Sequence, residues 1–171
     1  MVLTPDEYND ELWLIQKNNP PKISVLPFAE KIYDVDVKNR TIDAPEFLSV
    51  QKDHRAESIY FKMDRYNDYV DLVNMTCIIQ YKTKNGDGIY IVPYYDIASY
   101  PGKLLIPWLI DGKATAVSGD VTYSIRFYKM DDAATKFVYN LNFLPATSKV
   151  KYGMDVISDN LPDYEVPAPL Y

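Results

Sequence analysis

The side chains that could do chemistry are few and widely spaced. His54 is the only histidine and Cys77 the only cysteine. A histidine base needs a nucleophile and an orienting carboxylate, and the chain has neither a nucleophile-elbow serine motif nor an acid-flanked HxxxH. His54 is therefore expected as a surface loop residue. Cys77 falls on the apolar parity of a strand pattern, where a buried structural thiol is expected rather than a nucleophile. A lone cysteine also rules out an intrachain disulfide and a cysteine-based metal site. Asp64, Asp68 and Asp71 offer hard oxygen ligands of the kind Ca²⁺ takes, but their spacing is not that of an EF-hand loop, and a polar inter-strand loop contains the same letters. Asp87 and Asp131-Asp132 invite the same idea and the same objection. A carboxylate pair for glycoside hydrolysis needs only proximity in space, and nothing in the sequence favours any pair. The 6 glycines form neither GxGxxG nor GxxxxGK. The expectation is a protein that is not an enzyme and holds no cofactor and no metal.

Tyrosine is the residue in excess, with 16 against 6 Phe and 2 Trp. It favours strands, and it favours contact surfaces that are apolar at one end and wet at the other. Tyr66, Tyr69, Tyr94, Tyr95 and Tyr100 gather in loops and at strand ends. Exposed rings there could stack on sugars, as in carbohydrate-binding modules, or anchor a protein–protein interface. Arms at both ends of the chain favour the interface. Its expected members are Tyr8, Leu12, Trp13, Ile15, Tyr66, Tyr69, Tyr94, Tyr95 and Tyr171.

The elements that must carry these residues are mostly strands. Val121, Tyr123, Ile125 and Phe127 alternate with Thr122, Ser124 and Arg126, so one face is expected in a core and the other toward water. The run Leu104–Ile110 predicts a more fully buried strand with Trp108 as its anchor, and Lys113–Ser118 a short connection between two neighbouring strands. Ile59, Phe61 and Met63 share a face, as do Met75, Cys77, Ile79 and Tyr81, and also Phe137, Tyr139, Leu141 and Phe143. Tyr33, Val35 and Val37 predict an earlier inward face, Thr41–Ala44 a short strand, and Phe47–Val50 the start of another stretch. Asn85-Gly86 tolerates the positive φ of a tight hairpin turn, and Pro93 interrupts the returning strand. Short strands at regular intervals with no helix between them predict an all-β domain. We expect an immunoglobulin-like antiparallel β-sandwich, with a jelly roll as the alternative, over residues 22–144.

The flanks differ in composition. Thr4, Pro5 and Glu7 make a helix start, with Tyr8, Leu12 and Ile15 at helical spacing and a stop before Pro20-Pro21. So short a helix is marginal alone and needs a surface. That surface is either its own domain or a neighbouring subunit reached across the stiff Pro-Pro spacer. Residues 1–21 are expected as a helical arm and linker, and 145–171 as an extended, Pro-rich arm. The net charge of −6 and pI of about 4.7 argue against nucleic acid or an anionic membrane as the main partner. No apolar run approaches the ~20 residues that span a bilayer, and the start lacks a signal-peptide pattern, so synthesis and assembly in a cytoplasm are expected.

One resemblance bears on function. The runs EFLSVQKDHRAESIYFKMDRYNDYVDL, TCIIQY with the NGDG hairpin, LLIPWLIDGKATAVSGDVTYSIRFY and FVYNLNFLPATSKV together resemble modules of tailed-bacteriophage virion proteins. The layout is similar to the N-terminal β-sandwich of phage baseplate upper proteins and related tail or head fibres. It has a Trp-containing apolar strand, a Thr/Ala-rich turn with a Gly, and an alternating strand ending in an Arg-aromatic pair. Here those positions are Trp108, Ala114–Gly119 and Val121–Phe127. The resemblance covers roughly the central hundred residues and is one of pattern rather than of a diagnostic motif. It implies a virion structural protein, an attachment, adaptor or decoration module whose partners are other virion proteins. It also implies a homo-oligomer, trimeric or dimeric. A host-surface glycan is the alternative partner.

Overall fold

The computed structural model describes residues 31–153, together with Asn18. Twelve strands are described: β1 (Ile32–Asp36), β2 (Thr41–Ile42), β3 (Phe47–Val50), β4 (Ser58–Asp64), β5 (Tyr66–Asn67), β6 (Val70–Asp71), β7 (Thr76–Thr83), β8 (Gly86–Ile91), β9 (Lys103–Leu109), β10 (Gly119–Met130), β11 (Phe137–Asn142) and β12 (Ala146–Lys151). They build a four-stranded sheet in the order β2-β1-β4-β9 and a six-stranded sheet in the order β3-β12-β10-β7-β8, with β11 also on β10. A small β5-β6 hairpin stands at one end. The expected all-β sandwich is present. It is not antiparallel throughout, because β1 pairs with β4 and β3 with β12 in parallel. These partners are distant in sequence, so no tight turn dictates their direction. The expected N-terminal helix and residues 22–30 lie outside the described residues.

Alternation places the core between the sheets. Val121, Tyr123, Ile125 and Phe127 of β10, Cys77, Ile79 and Tyr81 of β7, and Ile59, Phe61 and Met63 of β4 are all buried, as their parity predicts. Trp108 is wholly buried, with its ring 5.1 Å from Tyr123, 6.1 Å from Tyr81 and 6.5 Å from Phe61. It thus joins three strands drawn from both sheets. The strands on either side of Lys113–Ser118 are not paired neighbours: β9 and β10 belong to opposite sheets and meet through their side chains. The water-facing parity of β10 is also less open than alternation suggests, since Ser124 is buried and accepts a hydrogen bond from Gln80 Nε2 at 3.1 Å.

Three local departures have physical causes. The turn of the β7–β8 hairpin is Lys84-Asn85, flanked by the Thr83–Gly86 pair, so Gly86 carries its positive φ of 119° inside the first pair rather than in the loop. A bulge between Lys129 and Met130 shifts the β10–β11 register. It turns Phe137 out of the core parity of Leu141 onto the outer face, where it meets Tyr128 edge-on at 5.7 Å and lies under Arg126 at 4.7 Å. Finally, the sheet does not stop at Phe143. β11 and β12 both run antiparallel to β10 along the same edge, the first on Arg126–Met130 and the second on Gly119–Tyr123. Pro145 interrupts this edge without ending the domain. The arm expected from residue 145 is therefore strand as far as Lys151, with Ser148 and Val150 buried.

Candidate functional site: the two ends and the outer sheet face

The strand directions give the sandwich two unlike ends. At one end lie the starts of β1, β4 and β10 and the ends of β7, β9 and β12. Lys31 and Gly153, the limits of the continuous described chain, both sit here. Lys31 reaches Glu57 at 2.9 Å, and Gln51 donates to the Lys151 carbonyl at 2.7 Å. The loops at this end are tied together. Asp53 accepts from Ser49 Oγ at 2.6 Å, and Lys52 donates to the Thr115 carbonyl at 2.9 Å. The buried Thr115 hydroxyl donates back to the Asp53 carbonyl. Asp111 accepts from Tyr81 Oη at 3.0 Å and from the Ala114 amide at 3.0 Å. Burial, reinforced by the Asp111 charge, pushes the Tyr81 phenol well up, so it stays a neutral donor. The Tyr81 ring also lies against Gly88, where a Cβ would clash with it. His54 is exposed, as expected, but its Nδ1 accepts the Gly112 amide at 2.8 Å, which makes it a loop fastener.

The opposite end carries the tyrosine loops. The β5-β6 hairpin is anchored by Arg65, which donates two hydrogen bonds to Asp71 at 2.9 and 2.8 Å, and by the Arg65 amide on the Gly102 carbonyl at 3.1 Å. The Arg65 hydrogen bonds, with the Val73 amide, hold the Asp71 carboxyl below its usual range. Asp64 is engaged by Lys103. The Asp64, Asp68 and Asp71 set is thus divided, with two of the three taken by cations. Among the described residues there is no group of three or more His, Cys, Asp or Glu placed to hold a metal.

The predicted interface tyrosines separate into two kinds. Tyr69 is fully exposed and Tyr66 is 51% exposed beside Arg65. With Val37, Lys38, Arg40, Asp64, Asn67 and Asp68, Tyr66 lines a polar cleft of about 400 Å³. Tyr95 is a core-side residue instead. Its hydroxyl donates to the Met75 carbonyl at 2.7 Å and its ring stacks on Phe127 at 6.1 Å. Tyr94 is half-buried, and burial pushes both phenols up. Two adjacent aromatics just past a Pro-interrupted strand look like loop residues in sequence, but here the chain after β8 folds back over the sheet edge through the Asp96–Leu105 bridge. Tyr8, Leu12, Trp13, Ile15 and Tyr171 lie outside the described residues. Cys77 is buried, and burial raises its thiol pKa.

The sequence reading missed a third surface. On the outer face of the six-stranded sheet a groove of about 850 Å³ runs over β7, β8 and β10. Gln80 and Ser124 form part of its lining, with Ile89 on one strand, Pro145 across from it, and Lys82 and Lys113 beside them. Ile89 is 61% exposed and its neighbour Ile91 also faces out. The signal was present: on an alternating strand with Tyr90 inward, two isoleucines occupy the water parity.

Comparison with known proteins adds a structural likeness. No family model and no curated protein matches the chain. Among solved structures it is similar to the N-terminal domain of phage TP901-1 ORF48, at 9% identity and a TM-score of 0.44, over 70% of this chain and 96% of that one. Among the described residues no helix is long and apolar enough to cross a membrane.

Proposed function

We propose that the chain is a non-enzymatic structural protein of a phage particle, an attachment, adaptor or decoration module acting through protein–protein contacts. The observation that carries the docking role is the exposure of large apolar side chains on a domain whose core is already filled. Tyr66 and Tyr69 are exposed at one end, and Ile89, Phe137 and Val138 are exposed on β8 and β11. Clustered exposed aromatics and aliphatics of this kind mark contact surfaces. The phage setting is supported by the sequence resemblance around Trp108 and Val121–Phe127. Virion assembly would place the protein in the particle, where repeated copies are the usual arrangement. The test is mass spectrometry of gradient-purified particles from cells encoding the chain. A fixed ratio of chain to particle is expected, and its absence from purified particles overturns the reading.

A second reading has its own observation. Tyr66 lies beside Asp64, Asn67, Asp68 and Arg40 in the polar cleft, a ring next to carboxylate, amide and guanidinium groups. That combination suits a sugar, which stacks on an aromatic face and hydrogen-bonds at its rim. Tyr66→Ser and Tyr69→Ser then abolish binding on a host-glycan array while particle incorporation survives. If the hairpin is a protein interface, the same variants lose incorporation.

A further inference from the structure

We infer that the outer-face groove over β7, β8 and β10 receives an acidic polypeptide segment of a partner protein, one that sets an aliphatic side chain on Ile89 between carboxylates. This rests on the docking reading above and names the chemistry of what docks at Ile89. Charge is the first support. The protein carries a net charge of −6, so its cations have acids to pair with, and away from the groove they do. Lys62 pairs with Asp34, Arg65 with Asp71 and Lys103 with Asp64. Lys82 and Lys113 in the groove lining are exposed and have no ion pair among the described residues. Lys84 is unpaired in the same sense, and it extends the patch to the start of β10, where a Cβ on Gly119 would lie 3.1 Å from its Nζ. Asp87 is the acid in the lining. Unpaired cations gathered on one face make a local positive field that an anionic partner completes. The second support is the lining itself. Its space of about 850 Å³ suits a site that encloses a few side chains. Gln80 Nε2 donates to Ser124 Oγ at 3.1 Å. That leaves the Gln80 carbonyl oxygen to accept a backbone N–H and the Ser124 hydroxyl to donate to a backbone carbonyl. Ile89 supplies an aliphatic wall, 61% exposed. The rings in the lining, Tyr81 and Tyr123, are buried at 2% and 1% exposure. Sugars and nucleobases bind by stacking on an exposed aromatic face, which this lining does not offer. An acidic peptide meets every part of it, with carboxylates for the lysines, a backbone for Gln80 and Ser124, and an aliphatic side chain for Ile89.

The test is fluorescence anisotropy on the full chain with a labelled octapeptide of six Glu and two Leu, beside NMR of the Gln80 side-chain amide. Saturable binding is expected, with the Gln80 amide resonances shifting. Lys82→Glu combined with Lys113→Glu should weaken it about tenfold or more, and Ile89→Ser about threefold or more. Lys82→Gln with Lys113→Gln, which removes the charges without reversing them, should fall between wild type and the reversal, and 1 M salt should weaken the wild type. Urea midpoints equal to wild type show that each variant is folded. Four results overturn the inference. One is no saturable binding, or binding that the lysine changes leave untouched. Another is equal binding of a peptide with Ser in place of both Leu, which reduces the groove to a patch of charge. The third is tighter binding of inorganic polyphosphate or oligogalacturonate, which assigns it to another polyanion. The fourth is self-association in sedimentation velocity that Ile89→Ser removes, which assigns it to a second copy. None of these touches the particle reading, which the chain-to-particle ratio decides. Absence from purified particles with peptide binding intact overturns that reading alone.

Discussion

Tyr81 and Tyr69 show how differently the two ends of one sandwich use the same side chain. At the end where the described chain begins and stops, Tyr81 is 2% exposed, its ring covers Gly88 and its hydroxyl is bound by Asp111. At the other end Tyr69 stands wholly in solvent on a two-strand hairpin. The first end is locked by hydrogen bonds between its loops. The second is held by the Arg65–Asp71 pair and the Arg65 amide, and it leaves the Tyr69 ring uncovered. A domain that needs its core closed and a surface left for something else would divide its tyrosines in this way. Stability should therefore be concentrated near Trp108 and Tyr81, and binding near Tyr66 and Tyr69.

The largest effect is expected at Trp108. Replacing it with Ala removes the ring that touches Tyr81, Tyr123 and Phe61 across the two sheets. Buried Trp→Ala changes cost about 3–5 kcal/mol, enough to unfold many single domains at 37 °C. Urea unfolding followed by far-UV circular dichroism measures it. A loss below about 1 kcal/mol would mean the core does not centre on this ring. Gly88→Ala comes next. It adds one methyl group where the Tyr81 ring lies. Overpacking of this kind costs about 1–3 kcal/mol. The cost should shrink when Tyr81→Ala is present, and a double-mutant cycle reads that coupling. No coupling would show that the ring does not rest on Gly88.

Asp71 tests the weaker end. Its carboxyl is held below the ordinary range, first by the Arg65 hydrogen bonds and then by the Val73 amide. A folded pKa below the unfolded one gives stability that is present above the unfolded value, about 3.9, and is lost as pH falls through the folded value. The wild-type protein should therefore lose its advantage over Asp71→Asn as pH is lowered through and below about 4. The effect is small, because both side chains are partly exposed and solvent screens the pair. Parallel stability curves for the two proteins from pH 7 to 2.5 would show that the hairpin is held by something else.

The strands and the core were legible because one-face burial writes itself into sequence with period 2. Val121 to Phe127, Ile59 to Met63 and Cys77 to Tyr81 all face inward as their alternation predicts. The pairing was not legible, because alternation says which face is buried and nothing about which strand lies alongside. Hence β9 and β10 looked like neighbours and proved to be facing layers. Phe137 was misplaced because a bulge shifts parity without changing composition. Residues 146–151 were misplaced because Pro145 resembles a boundary, while Ser148, polar in sequence, is buried and bonded to Tyr123 Oη at 2.8 Å and to the Pro45 carbonyl at 2.5 Å. Of the candidate surface, the exposure of Tyr66 and Tyr69 was legible from loop composition. Tyr95 was taken for one of them because its burial depends on a chain reversal that composition does not encode.

The smallest stability effect is expected at Tyr69, and it is the sharpest test of the contrast. Its side chain is fully exposed, so Tyr69→Ser should change the unfolding free energy by no more than about 0.5 kcal/mol. The same change should weaken whatever the hairpin end binds, because an aromatic anchor in an interface contributes far more than a solvated one does to folding. Pull-down of partner proteins and glycan-array binding, run beside urea unfolding on the same preparation, separate the two quantities. A destabilisation above about 1 kcal/mol would mean that Tyr69 is covered in the isolated protein and that the two ends do not divide stability from binding. Unchanged stability with unchanged binding would move the contact surface from the hairpin to the outer sheet face, where Ile89 and Phe137 remain exposed.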